Sequence, residues 1–393
     1  MTPSEGASRP APHLVDATMF WSASGGGVRR YLQAKHAWLA LSTRVRHTIA
    51  APVAGAGDVA TLPSLPLPGS GGYRLPVRRR ALAQALVKLS PDLIEAGDPY
   101  RLAWSTLDAA QQLQVPAIAF CHSNLELMAA GWAGRPLARA AARAARRYAR
   151  HLYDQFDLVL APSEAMCRHL LDWGITHVAH QPLGVDSALF HPARASAMWR
   201  NQLGLPQHTR LLLYAGRFAP EKHLDVLAAA VRRLGAPYVL LAIGAGPAPP
   251  SGERVMVRPY VSDARALATV LASVDAFVHA GDQETFGLSV LEAMACGTPV
   301  VARAVEGLAE LVDDSVGIAV RVGSADSFAQ GISDLFCEDG KSRSRAARRR
   351  AEWHDWNRVL PALMTHYARL LRDDAQGPAS APRSLPSNAA ALP

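Results

Sequence analysis

The chain has 393 residues, about half of them apolar, which suffices for roughly two domain-sized cores. Its net charge of +8 favours anionic ligands and surfaces. The longest apolar runs fall short of the roughly 20 residues a spanning helix needs, and Cys121, Cys167, Cys296 and Cys337 form neither a Cys-x-x-Cys pair nor a zinc pattern, so they read as buried thiols in a reducing compartment.

Residues 1–13 lack a charged segment followed by an apolar one and a small-residue cleavage site, and are expected to be a flexible lead-in to a cytoplasmic protein. A first domain is expected over 14–185. Near its start Gly25, Gly26 and Gly27 precede a helical pattern, so that backbone can approach a ligand without side-chain clash. Arg74, Arg78, Arg79 and Arg80 make a first basic run. The segments "PDLIEAG", "PAIAFCH" and "FDLVLAPS" are short apolar runs bounded by turn residues and predict parallel strands. His122 closes the second of these, a place equally suited to a structural and a ligand-facing histidine. Next comes "RPLARAAARAARRYARHLY", whose Arg135, Arg139, Arg143, Arg146, Arg147 and Arg150 recur at helical spacing. No acidic residue stands between Glu126 and Asp154, so a cationic stripe is expected, suited to an anionic membrane face or to plain solvation.

A polar, proline-bearing linker is expected at 186–206. The alternation then resumes over 207–355 with "RLLLYAGR", "YVLLAIGAG", "ERVMVRPYV", "DAFVHAG" and "TPVVARA". The fold class is therefore α/β, with the pattern repeated in two units whose functional groups gather at the carboxyl ends of strands. The basic run "GKSRSRAARRRAEW" reads as a solvated turn. Residues 356–372 have the periodicity of one long helix, expected in a two-domain layout to pack back on the first domain, and 373–393 have the composition of a disordered tail.

The chemistry concentrates in the second unit. Gly216 ends its first strand, and Arg217 and Lys222 stand in the following loop and first helical turn, where helix N–H groups already favour an anion such as a diphosphate. In "ETFGLSVLEAMACGTPVVA", Phe286, Gly287 and Leu288 open a helix with exposed N–H groups. Glu284 precedes it and can hydrogen-bond sugar hydroxyls. Glu292 lies inside it, either facing a cleft or as an exposed helix glutamate.

"GRFAPEK", "IGAGP", the 284–302 stretch and "EGLAELV", in this order, resemble the C-terminal half of the retaining glycosyltransferases of family four, which have the GT-B fold. The resemblance implies two facing Rossmann-like domains with parallel sheets and an interdomain cleft. It implies that Arg217 and Lys222 bind donor phosphate, that Glu284 contacts the transferred sugar and that Glu292 binds the nucleotide ribose. It places Gly25 to Gly27 at the cleft and makes His122 a sugar contact. Two departures stand out: His223 and Glu306 occupy positions where such proteins often have glycine. The implied activity is that of a retaining hexosyltransferase acting from a nucleotide-diphosphate sugar, with no cofactor and no metal, since fixed cations can meet the leaving phosphate. The expected acceptor is lipid-linked or a saccharide, at the cytoplasmic membrane face. A soluble enzyme with a small acceptor is the alternative. A basic nucleic-acid-binding protein is the rival class, disfavoured because no helix-turn-helix, zinc finger or aromatic RNA-binding motif is present.

Overall fold

The computed structural model describes residues 11–22, 26–53, 59–67, 72–337 and 340–373. The lead-in up to residue 10, Gly25 and the tail from 374 onward lie outside the described residues. The strands in chain order are β1 (His13–Ala17), β2 (Arg46–Ala51), β3 (Val59–Thr61), β4 (Ser64–Pro66), β5 (Arg74–Pro76), β6 (Leu93–Ala96), β7 (Ala117–Phe120), β8 (Leu158–Ala161), β9 (Val178–His180), β10 (Arg210–Arg217), β11 (Tyr238–Ala245), β12 (Val255–Arg258), β13 (Ala276–His279), β14 (Val300–Arg303) and β15 (Gly317–Val320). The helices are α1 (Gly27–Ser42), α2 (Arg79–Val87), α3 (Arg101–Leu113), α4 (Leu125–Tyr153), α5 (Glu164–Asp172), α6 (Ala197–Asn201), α7 (Leu224–Leu234), α8 (Ala264–Ala272), α9 (Leu288–Ala295), α10 (Leu308–Leu311), α11 (Ala325–Cys337), α12 (Gly340–Trp353) and α13 (Trp356–Asp373).

Two parallel sheets result. The first runs β3-β2-β1-β6-β7-β8-β9 and the second β12-β11-β10-β13-β14-β15. Their central strands are apolar for the most part, as burial on both faces requires: β1, β6 and β7 are buried at every residue, and β10 from Leu211 to Ala215. Helices cover the faces with 3.6-period stripes, as when α7 buries Leu224, Leu227 and Val231.

The chain winds outward from β1 in one direction and then crosses to β6 on its other side. It does the same at β10 and β13. Loops after these strands diverge and leave a crevice at each switch point, the general site for ligands in such sheets. The β10 loop carries Arg217 to Lys222, and the β13 loop carries Glu284 to Gly287. The fold itself thus places the sequence-predicted residues at one crevice.

The two units are joined beyond their linker. Val185 pairs with Asp355 in a short parallel bridge, and α13 packs on α1 of the first unit. One apolar cluster runs through both, from Leu14, Tyr31 and Phe120 through Leu183, Val185 and Phe190 to Leu213, Phe277 and Val290.

The expected linker stretch 186–206 holds a 3-10 turn at Pro192–Arg194 and α6, whose Ser196 accepts from Trp199 N–H as an N-cap. Several expectations are corrected. The run from 340 is no solvated turn but α12. It packs on α9, and its Arg348 donates to the carbonyls of Ser187, Phe190 and Ala295 at 2.6–2.9 Å. Cys121, Cys167 and Cys296 are buried, whereas Cys337 is exposed because it ends α11. The arginine stripe belongs to α4, broken at Gly134 (φ 69°). No helix among the described residues is long and apolar enough to cross a membrane.

Candidate active site

The β10 loop does not pass straight into α7. Arg217 ends the strand, Pro220–Lys222 forms a 3-10 turn, and His223 sits left-handed at φ 49°, ψ 46° before α7 begins at Leu224. Lys222 is therefore ahead of the helix rather than in its first turn. That offset turns its ammonium inward, where it is 10% exposed and ion-paired to Glu284. Glu284 Oε1 also accepts from His279 Nε2 at 3.1 Å, the last residue of β13. Burial alone would raise the Glu284 carboxyl, but Lys222 and His279 outweigh it and hold it well below the usual carboxylate range. Glu284 is accordingly an anion and an acceptor, and His279 Nδ1 is left buried with no partner among the described residues.

α9 is preceded by its N-cap Gly287, whose φ of 99° favours glycine and whose added Cβ would stand 2.5 Å from Leu308 Cδ2. Its first turn faces the first unit across the crevice. A Cβ on Gly27, at the start of α1, would meet Leu288 Cδ1 at 2.8 Å, so the N-termini of α1 and α9 converge. Glu292 does not stand exposed on α9. It is buried and ion-paired with Arg30 of α1, a residue that no motif in the sequence singles out. Burial raises the Glu292 carboxyl, and Arg30 opposes that shift without cancelling it.

His122 lies beyond the end of β7, its ring stacked on Phe120 at 4.3 Å and tilted against Tyr31 at 5.6 Å. Burial, with Lys35 nearby, brings its pKa down to about 3, so the ring is neutral at neutral pH. Its Nε2 is buried with no partner among the described residues. Thr285 ties this segment to the β13 loop by donating to the His122 carbonyl at 3.0 Å.

The structure thus brings together Lys222, Glu284, His279, Glu292, Arg30, Phe286, Gly287, Leu288, Gly27 and His122. Gly26 adjoins as the N-cap of α1, and Gly216 adjoins through β10. Arg217 stands apart, 67% exposed and paired with Glu221 at 3.1 Å. The glycine-replacing residues are both left-handed, His223 at φ 49° and Glu306 at φ 48°, and each side chain finds a partner: Asp282 at 3.0 Å and His169 at 2.9 Å. The arginine stripe is only partly free. Arg139, Arg143 and Arg147 are exposed, but Arg146 pairs with Glu126 at 3.0 Å and Arg150 with Asp154 at 3.6 Å. In the earlier basic run, Arg79 is bound to Asp108 at 2.5 Å and Arg74 to Ser64 at 3.0 Å.

A crevice between two Rossmann-like units, with helix N-termini, cations and acidic side chains converging on it, fits a GT-B glycosyltransferase that uses a nucleotide-sugar donor. Residues 25–189 match the family described as Glycosyltransferase Family 4, and 209–338 match Glycosyl transferases group 1. The chain belongs to family four of the glycosyltransferases. It is 31% identical over 315 residues to a GDP-mannose-dependent alpha-(1-6)-phosphatidylinositol dimannoside mannosyltransferase of Mycobacterium tuberculosis, spanning 77% of this chain and 80% of that protein. It is 32% identical over 289 residues to a D-inositol 3-phosphate glycosyltransferase of Mycolicibacterium gilvum, spanning 67% and 63%. Among solved structures, sucrose-phosphate synthase from Thermosynechococcus elongatus shares the fold with a TM-score of 0.72 at 21% identity, over 92% of this chain and 100% of that one. Anabaena Alr3699/HepE in complex with UDP and glucose does so with a TM-score of 0.71 at 19% identity, over 90% and 99%.

Proposed function

We propose that this glycosyltransferase moves mannose from GDP-mannose, with retention of configuration and without a metal ion, to a phosphatidylinositol-type lipid acceptor at the cytoplasmic membrane face. The observation that carries the transfer chemistry is the buried Lys222–Glu284–His279 cluster beside the start of α9. When the bond from the anomeric carbon to the diphosphate breaks, negative charge develops on the leaving oxygen. Lys222 and the α9 N–H groups meet it without reorganisation, and Arg217 is close enough in sequence to swing in from solvent. A fixed ammonium in this position does the work a divalent cation does elsewhere.

Glu284 accepts hydrogen bonds from the hydroxyls of the transferred sugar, and Glu292 from those of the ribose. Neutral His122 offers its free Nε2 to a sugar hydroxyl. The acceptor oxygen attacks the face the diphosphate leaves, a new glycosidic bond replaces the phosphate ester, and the acceptor proton passes to the departing phosphate. No side chain serves as nucleophile.

The donor assignment is supported by the names of the mannosyltransferase relatives, and the lipid acceptor by the first of them. The membrane face is supported by Arg139, Arg143 and Arg147, with Trp132 and Leu137 exposed beside the Gly134 break. Each such cation contributes roughly 1 kcal/mol near an anionic surface. Two measurements test this reading. GDP should raise the melting temperature more than UDP at equal concentration. Binding to phosphatidylinositol vesicles should weaken by at least about tenfold in the Arg139→Glu/Arg143→Glu/Arg147→Glu variant. Preference for UDP would reject the donor, and unchanged vesicle binding would reject the membrane face. Loss of vesicle binding altogether in the unmodified protein would favour a small soluble acceptor, such as the inositol phosphate named in another relative.

A further inference from the structure

Among the described residues, several side-chain contacts join the two units across the crevice, and Arg30 reaches Tyr260 of the second unit as well as Glu292. Thr285 donates to the His122 carbonyl. Glu310 accepts from the N–H groups of Glu164 and Ala165 at 2.9 and 2.7 Å, at the start of α5. His169 pairs with Glu306 at 2.9 Å. Arg30 pairs with Glu292, and among these contacts this one alone uses a carboxylate assigned to the donor.

The Glu292 side chain is only 5% exposed. Its Oε1 carries the Arg30 guanidinium, and its Oε2 is buried without a partner among the described residues. A ligand hydroxyl must approach to about 2.5–3.0 Å to hydrogen-bond either oxygen, and with Arg30 seated neither is within reach. Removing the cation from a buried carboxylate is costly unless new donors arrive. Two vicinal hydroxyls supply such donors. The contacts of Thr285, Glu310 and Glu306 involve neither Arg30 nor Glu292, so they can keep the units together while this one exchanges.

We propose that Arg30 is a donor-displaced lock: in the free enzyme it occupies Glu292, and the nucleotide ribose takes that carboxylate only by expelling the guanidinium. The proposal rests on the assignment of Glu292 to the ribose. The released guanidinium stays beside the converging N-termini of α1 and α9, where anions are favoured. The lock sets aside part of the ribose affinity, because a ligand that binds only the unlocked state sees its apparent affinity reduced by the unlocked fraction.

The test compares GDP with 2′,3′-dideoxy-GDP by calorimetric titration. The two ligands carry the same base and diphosphate and differ only in the ribose hydroxyls. In Arg30→Met the ratio of their dissociation constants, dideoxy over ribose form, should rise by about fivefold or more over the unmodified protein, because ribose no longer competes with the guanidinium. An unchanged ratio would make Arg30 a bystander. A reduced ratio would make it a residue that orients Glu292 while ribose is bound. Either overturns the lock. Arg30→Gln provides the same comparison if the Met variant does not fold. Adding Glu292→Gln to Arg30→Met should bring the ratio close to one. Should the double variant keep the ratio of the single one, the ribose assignment itself fails, and the lock with it.

Discussion

Among the described residues, two clusters set acids against basic side chains, and they differ in one respect. In the first unit Lys35 Nζ lies 2.8 Å from Asp16 and 3.3 Å from Glu95, His47 Nε2 lies 2.8 Å from Asp16, and Tyr31 and Tyr367 donate to Glu95. Each of these charged groups is met by another, and the cluster pins α13 to the first unit. In the crevice Lys222 meets Glu284 and Arg30 meets Glu292, yet Glu292 Oε2, His279 Nδ1 and His122 Nε2 remain buried and unpartnered among the described residues. Buried polar atoms are nearly always paired, so these three at a switch point are positions that a ligand's groups can satisfy.

Replacing either lysine distinguishes the two clusters. Lys35→Met leaves two sealed carboxylates without their cation and should cost about 3–5 kcal/mol of unfolding free energy, read from urea denaturation. The transfer rate per folded molecule should stay near that of the unmodified enzyme; a loss below about 1 kcal/mol would show that the first cluster is not structural. Lys222→Met should lower kcat by about 10²–10³, or about 2.7–4 kcal/mol of transition-state stabilisation. It should cost far less stability than Lys35→Met, because Glu284 keeps His279 and is 21% exposed. Equal stability losses in both variants would erase the distinction.

Glu95 and Glu284, one acid from each cluster, carry opposite pH dependences. Burial, reinforced by the neighbouring Asp16 charge and opposed by Lys35, raises Glu95 to about 6. The folded state then holds a proton that the unfolded chain has lost, so this contribution to stability is full below the ordinary carboxylate range and is lost as pH rises through about 6. Glu284 is depressed, so its contribution is present above the ordinary carboxylate range and is lost as the solution is acidified. Glu95→Gln should flatten the loss approaching pH 6, on the order of 1–2 kcal/mol, and Glu284→Gln the acid limb. Unfolding free energies measured from pH 3 to pH 8 check both. The smallest expected effect is at the rim. Glu310→Gln should weaken the hold on α5 by about 0.3–1 kcal/mol, seen as a modest increase in the radius of gyration in solution scattering.

The crevice was legible in the sequence because its parts are local: strand ends, a loop cation and two acids separated by seven residues. "RLLLYAGR" and "DAFVHAG" carry β10 and β13 in plain view, and the two together place the switch point. The charge pairs were not legible, since their partners are remote. Arg30 and Glu292 are 262 residues apart, and Lys35 and Tyr367 are 332 apart. Nor does the single motif residue Lys222 reveal that a 3-10 turn and a left-handed His223 separate it from α7. β2, "RHTIAA", was missed because its first half is polar and only its last three residues are buried. The arginine stripe was overcounted, because Glu126 folds back on Arg146 from twenty residues away.

The most direct test of retaining, metal-independent transfer is the anomeric configuration of the product. Purified enzyme, GDP-mannose and phosphatidylinositol vesicles are incubated with excess EDTA, and the glycolipid is read by the one-bond carbon–proton coupling at the anomeric centre. An α-mannoside formed at the same rate with and without the chelator is the expected result. A β-mannoside, or activity abolished by EDTA and restored by a divalent ion, would contradict it.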